Sequence, residues 1–172
     1  MSPRAESPRL DVHAESRAGV DLRRARLEDW PGVQALLREV DELHAGLAPA
    51  YFRTAARADG EWRRLLTDPT AQALVVVSQD RPLGFLALRI YDTPTDPSVV
   101  PRRRGHVETL VVAGGHRRRG IGRRLLTEAS RWARAQGAVE MVLTTWAGNA
   151  AADAFYQRLG YRVLSRVLHA PL

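Results

Sequence analysis

Apolar positions recur along the chain in two periods, and the switches between them mark out the elements. From Val20 to Ala25 apolar and polar residues alternate, as in a short strand. Val33, Leu36, Leu37, Val40 and Leu43 or Leu47 follow at helical spacing, with Asp29 as N-cap candidate and Pro31 close behind; Gly46 and Pro49 end the helix. A second helix is predicted over Asp59–Leu66, with Trp62, Leu65 and Leu66 on one face. Ala73–Ser78 is a short β-branched run, Asp80-Arg81-Pro82 a turn, and Leu83–Tyr91 the hairpin partner. Prolines 94, 97 and 101 impose an extended loop that ends in Arg102-Arg103-Arg104. Beyond it come a strand (His106–Ala113), a loop (Gly114–Gly120) and a helix (Ile121–Gln136) closed by Gly137. A strand over Val139–Trp146, a helix over Asn149–Leu159 and a last strand over Tyr161–Leu168 complete the chain. Residues 1–19 carry two Ser-Pro pairs and no apolar period, and read as a flexible tail ahead of one domain over 20–172. The order β-α-α-β-β-β-α-β-α-β predicts an α/β fold with a mixed, mostly antiparallel central sheet flanked by helices.

Composition narrows the chemistry. The 172 residues suit a single core, and no stretch approaches the ~20 apolar residues of a membrane span. The N-terminal run lacks the apolar segment of a secretory signal, so a cytoplasmic protein is expected. Absence of Cys excludes disulfides, thiolate nucleophiles and Cys-ligated zinc. The five histidines show no paired ligand spacing, so no metal is expected.

Charge gives a location. All 26 basic residues are Arg, and the formal net charge is +7. Residues 102–134 hold ten Arg against Glu108 and Glu128, so this one segment carries the whole surplus. A field so concentrated points to an anionic ligand at one place. Within it, Arg117-Arg118-Arg119-Gly120-Ile121-Gly122 joins a strand to a helix. Gly120 and Gly122 let backbone approach a ligand closely, and the first N–H groups of the helix offer an anion site. Arg117, Arg118, Arg119, Arg123 and Arg124 can add charge-assisted bonds. Taken alone, the loop reads equally well as a tight turn with a solvated Arg-rich face.

Context separates the two readings. Val107-Glu108-Thr109-Leu110-Val111-Val112, followed by Arg117-x-x-Gly120-Ile121-Gly122-Arg123-x-Leu125-Leu126, resembles the acyl-CoA-binding motif of the GNAT N-acetyltransferases. A second motif of that family is matched by Asn149 and by Ala154-Phe155-Tyr156-Gln157-Arg158-Leu159-Gly160-Tyr161. The likeness covers roughly residues 20–168. It implies acetyl-CoA as co-substrate and a primary amine, on a small molecule or a peptide, as acceptor. It further implies that Leu110, Val111 and Val112 take the pantetheine arm along a splayed strand edge. Backbone amides from Arg117 through Gly122 to Arg123 would hold the pyrophosphate, and Asn149 would contact the pantetheine or the adjacent backbone. Tyr156 would be the general acid toward the departing thiolate, and Glu108 the base, directly or through water.

Glu108 is expected on the strand face opposite Val107 and Thr109, with pairing to Arg104 or another neighbour as its alternative role. For Tyr156 the alternative is a core aromatic beside Phe155. Acidic residues of the first helix, Asp41 and Glu42 among them, could attract a cationic amine or merely be solvated. Two rival functions are a basic nucleic-acid-binding module and a non-catalytic acyl-CoA sensor. No aromatics interleave with the Arg runs, which argues against the first. Homodimers are common among such proteins, and no residue pattern here specifies an interface.

Overall fold

A computed structural model describes residues 19–170, so nearly all of the tail read over 1–19 lies outside the described residues. Strand β1 (Val20–Arg24) leads to helix α1 (Trp30–Leu47) and helix α2 (Asp59–Thr67). Strands β2 (Ala71–Ser78), β3 (Arg81–Asp92) and β4 (Arg103–Val112) form a meander. Helix α3 (Ile121–Ala135), strand β5 (Glu140–Leu143) and helix α4 (Ala150–Arg158) follow. The sheet runs in chain order from β1 to β5; each pair is antiparallel except β4–β5, which is parallel. The expected fold class is therefore the observed one.

Alternation along the strands divides the core into two layers. Leu74, Val76, Leu86, Leu88 and Val107 meet α3 through Ile121, Leu125, Leu126 and Ala129. On the other face Val75, Val77, Phe85, Ala87 and Val111 meet Val33 and Leu36 of α1 and Trp62 of α2. β2 and β3 are covered on both faces, which is why ALVVV and LGFLAL read as nearly continuous apolar runs.

Three local expectations change. Tyr161–Leu168 forms no strand: Val163, Leu164, Val167 and Leu168 are exposed, and the run lacks a ladder partner. β-branched content supplies strand propensity, but only a neighbouring edge supplies the hydrogen bonds. Asp29 precedes α1 without capping it; the carboxylate instead grips Arg23 through two bonds of 2.7 and 2.8 Å and accepts the Arg26 N–H at 2.7 Å. Burial pushes the Asp29 carboxyl up, but these donors together outweigh it and hold it below the usual range.

The third change concerns β4. Ala87 pairs with Thr109 and the adjacent Leu88 pairs with Val107, so Glu108 is the extra residue of a β-bulge. A bulge suspends alternation. Glu108 therefore points to the α1/α2 face, where Arg89 reaches it, and shares that face with Thr109 instead of opposing it.

Candidate active site

β4 and β5 pair only over Arg104–Val107 and Glu140–Leu143. Past that point β4 runs on to Val112 without a partner on its β5 side, while the chain after β5 turns through Trp146 into α4. The result is a gap between two strands at their C-terminal ends, the usual place for a ligand in a parallel pair. Residues 108–112, including the candidates Leu110, Val111 and Val112, line one side of it. The structure thus puts an open strand edge where a pantetheine-like chain could add as a strand.

At the end of β4 the turn Gly114–His116 and residues 117–120 lead into α3. The N–H groups of residues 118–123 have no hydrogen-bond acceptor among the described residues, and the positive end of a 15-residue helix lies behind them. The two glycines of the loop do different work. Gly120, at φ +82, takes the left-handed conformation required at the helix entry. Gly122 does not; a Cβ there would lie 3.1 Å from the Phe155 ring, so its bareness lets α3 approach α4. Of the two, only Gly120 needs a positive φ, and Gly122 is a packing position as well.

The arginines also separate. Arg118, Arg119 and Arg123 are exposed, and with Arg124 they make no ion pair among the described residues. Arg118 sits at φ +64, a left-handed backbone that favours glycine. Arg117 folds away from the turn: its Nε donates to the Val112 carbonyl at 3.0 Å and its guanidinium pairs with Glu39 of α1 at 3.2 Å. Its side chain, and one acceptor site of Val112, are thereby engaged within the protein. Arg103 forks onto Asp92 at 2.9 and 2.8 Å, and Arg104 pairs with Glu140 at 2.7 Å. Arg102 lies 4.0 Å from the same Glu140. Apart from Arg134, the arginines of the positive segment without an ion pair among the described residues lie at 118–124.

Tyr156 stands on α4 beside Phe155 and Tyr161, at ring distances of 5.1 and 5.5 Å. Its ring packs against the α3-side core. Burial first, and then the proximity of Tyr161, push the phenol up to about 12, so the group is a neutral proton donor at physiological pH. Asn149 caps α4, its Oδ1 accepting the Ala152 N–H at 3.2 Å, and Thr145 ties the preceding turn to Asp153 at 2.7 Å.

Glu108 is held by neighbours that the motif did not reveal. Its Oε1 accepts from Arg89 Nε at 2.9 Å and from the Tyr91 hydroxyl at 3.3 Å, leaving Oε2 without a partner among the described residues. Arg89 also pairs with Asp68. Burial opposes the Arg89 charge, but Glu108 and Asp68 outweigh it and keep the guanidinium firmly ionised. Burial, then Glu108, raise the Tyr91 hydroxyl, so it remains a donor. Asp41, a candidate for drawing in cations, is buried and clamped by Arg57 through two bonds of 2.6 Å. It is a structural ion pair that fixes the α1–α2 connection.

Residues 25–161 match the Acetyltransferase (GNAT) family. The chain belongs to that family. Solved structures repeat the GNAT fold with little sequence in common. A mutant protein of Bacillus halodurans superposes with a TM-score of 0.84 at 23% identity, over 88% of this chain and 99% of that one. An aminoglycoside 6′-N-acetyltransferase in complex with CoA gives 0.68 at 17% identity, over 88% and 98% of the two chains. Another, from Acinetobacter baumannii, gives 0.68 at 19%, over 90% and 98%. No group of three or more metal-ligating side chains gathers among the described residues of this GNAT chain. No described helix is long and apolar enough to cross a membrane.

Proposed function

We propose that the protein transfers an acetyl group from acetyl-CoA to a primary amine by direct attack within a ternary complex. The observation that supports this best is the conjunction of three features at one place. The ladder opens after Val107 and Leu143, the free N–H groups of residues 118–123 lie at the entry of α3, and a protonated Tyr156 stands on α4. Phosphates fit the loop because amides and the helix terminus complement negative charge. Arg118, Arg119 and Arg123 add attraction from solvent, whereas Arg117 acts by shaping the turn. Leu110 would bond the pantetheine through its backbone, with the Val112 N–H in support, while Val111 turns its backbone to β3, and the Asn149 amide would face the same arm.

Acetyl-CoA supplies the thioester whose carbonyl carbon the amine nitrogen attacks. As the new C–N bond forms and the C–S bond breaks, the Tyr156 hydroxyl gives its proton to the sulfur. The surplus proton on nitrogen passes, directly or through water, to Glu108 Oε2. A phenol held neutral to about pH 12 is not spent before the thiolate appears.

The test is thiol release from acetyl-CoA against a panel of primary amines, with calorimetric titration of acetyl-CoA alongside. Tyr156→Phe is expected to lower kcat about 100-fold with acetyl-CoA affinity retained. Unchanged kcat would remove Tyr156 from the role. A second reading, the non-catalytic acyl-CoA sensor, draws on the engagement of Glu108 Oε1 by Arg89. It predicts binding without turnover for every amine.

A further inference from the structure

The gap between β4 and β5 has two faces, and only one is open to a second substrate. On the α3/α4 face, Phe155 and Tyr156 pack against the core beside the unpaired strand edge. An acceptor amine therefore has to come from the α1/α2 face, where Glu108 and Thr109 stand. β5 presents Met141 and Leu143 to the α3-side core, while Val142, of opposite parity, borders a shallow cleft of about 260 Å³ with Tyr91 and His106.

Continuing the chain past β5 brings Trp146 to the α1/α2 face as well. There it meets the α1–α2 loop: the Phe52 ring lies edge-on to the indole at 4.6 Å, and Tyr51 lies 5.4 Å away. His44, in the last turn of α1, packs on Phe52 at 4.9 Å. With His169 of the C-terminal run edge-on to Tyr51 at 5.9 Å, four separate segments bring rings together at the rim of the gap. Tyr51 remains 58% exposed, so the cluster is a surface and not a sealed core. Residues that serve only to glue a loop would be expected to bury themselves; exposed aromatics grouped at the mouth of a site present flat contact area.

Charge at this rim is poorly matched to a polycation. Recognising a polycation takes several free carboxylates facing it. Here Asp41 is consumed by Arg57, and Glu39 Oε2 by Arg117 and the Gly114 N–H. Glu108 Oε1 is held by Arg89. Of the acids on α1, Glu42 alone makes no ion pair among the described residues, and one carboxylate can match only one ammonium.

We infer that the acceptor is a monoamine carried on a flat, largely apolar body, seated against Trp146 and Phe52, and not a polycationic aminosugar. The inference rests on the acetyl-transfer reading and names its substrate class. It sets this chain apart from the aminoglycoside acetyltransferases whose fold it shares.

The experiment compares kcat/KM for 2-phenylethylamine, butylamine and kanamycin at saturating acetyl-CoA, using the full chain. The expected order puts 2-phenylethylamine at least tenfold above each of the others. Trp146→Ala is expected to raise the KM for 2-phenylethylamine about tenfold, with kcat and the KM for acetyl-CoA within twofold of wild type. Trp146→Phe, which keeps a ring, is expected to recover most of that loss. Should Trp146→Ala fail to fold, Phe52→Leu carries the same expectation. Kanamycin or butylamine used as well as 2-phenylethylamine overturns the inference while leaving acetyl transfer intact. A KM for 2-phenylethylamine that ignores these substitutions overturns it too. No binding of acetyl-CoA by calorimetry, or no thiol release with any amine, overturns the reading underneath, and the inference with it.

Discussion

Tyr156 shows how a single environment sets a chemical role. Burial raises its ionisation from 10.0 to about 12, so the folded protein keeps the proton that the unfolded chain loses. Stability should be unaffected by this group below pH 10 and should fall as pH rises from 10 toward 12. Urea titrations across that range are expected to show a shallower decline for Tyr156→Phe. In the rate profile, Tyr156 is expected to produce no descending limb below pH 10. A limb there that vanishes in the Phe variant would show that the hydroxyl ionises lower than its burial implies. Arg118 makes the complementary case, because its backbone is held in the left-handed region at φ +64 while its charge faces solvent. Arg118→Gly should relieve about 1 kcal/mol of strain and raise Tm by a few degrees. The same change should weaken acetyl-CoA binding severalfold. Opposite signs in the two measurements would show that the strain is kept for the ligand.

At the scale of elements, α1 and the loop before α3 are tied by one carboxylate. Glu39 Oε2 accepts from the Gly114 N–H at 3.0 Å and from Arg117 at 3.2 Å, so α1 braces the loop that enters α3. Glu39→Gln is expected to raise the KM for acetyl-CoA about threefold to tenfold with kcat nearly unchanged, and Tm should move little because the group is partly exposed. A fall in kcat at constant KM would speak against a positioning role. This tie is invisible to sequence reading: Glu39 and Arg117 are distant in the chain, and a motif fixes where an arginine lies but not where its side chain turns. Other features were legible. The helical periods of α1 and α3, the buried runs of β2 and β3, and the strand–loop–helix of the phosphate turn all follow from local pattern. The strand expected over Tyr161–Leu168 fails for the reason that propensity is local and a ladder is not. The bulge at Glu108 escaped because counting by two assumes no residue is spare.

At the scale of the whole molecule, the surplus of Arg contracts once partners are assigned. Arg102, Arg103 and Arg104 face Asp92 and Glu140, so a continuous track for a polyanion is interrupted. The densest group of arginines without an ion pair among the described residues is a positive rim around residues 118–124. Acetyl-CoA affinity should therefore fall severalfold between about 50 mM and 500 mM salt, as screening shortens the reach of those charges. A long single-stranded oligonucleotide should compete only weakly, by occupying that rim. Competition as strong as that of CoA itself would revive the nucleic-acid reading.

The spare residue in β4 has a genetic corollary. Because Val107 and Thr109 already face neighbouring partners, Leu88 and Ala87, excising Glu108 would join two stretches of ladder that are in step. Most single-residue deletions inside a strand throw one half of it onto the wrong face. This one should leave both halves of the core where they are, giving a protein that melts within a few degrees of wild type yet has lost the carboxylate proposed as the base. Calorimetric melting of the deletion beside its thiol-release rate would measure how far the carboxylate is an addition to the scaffold and not a part of it.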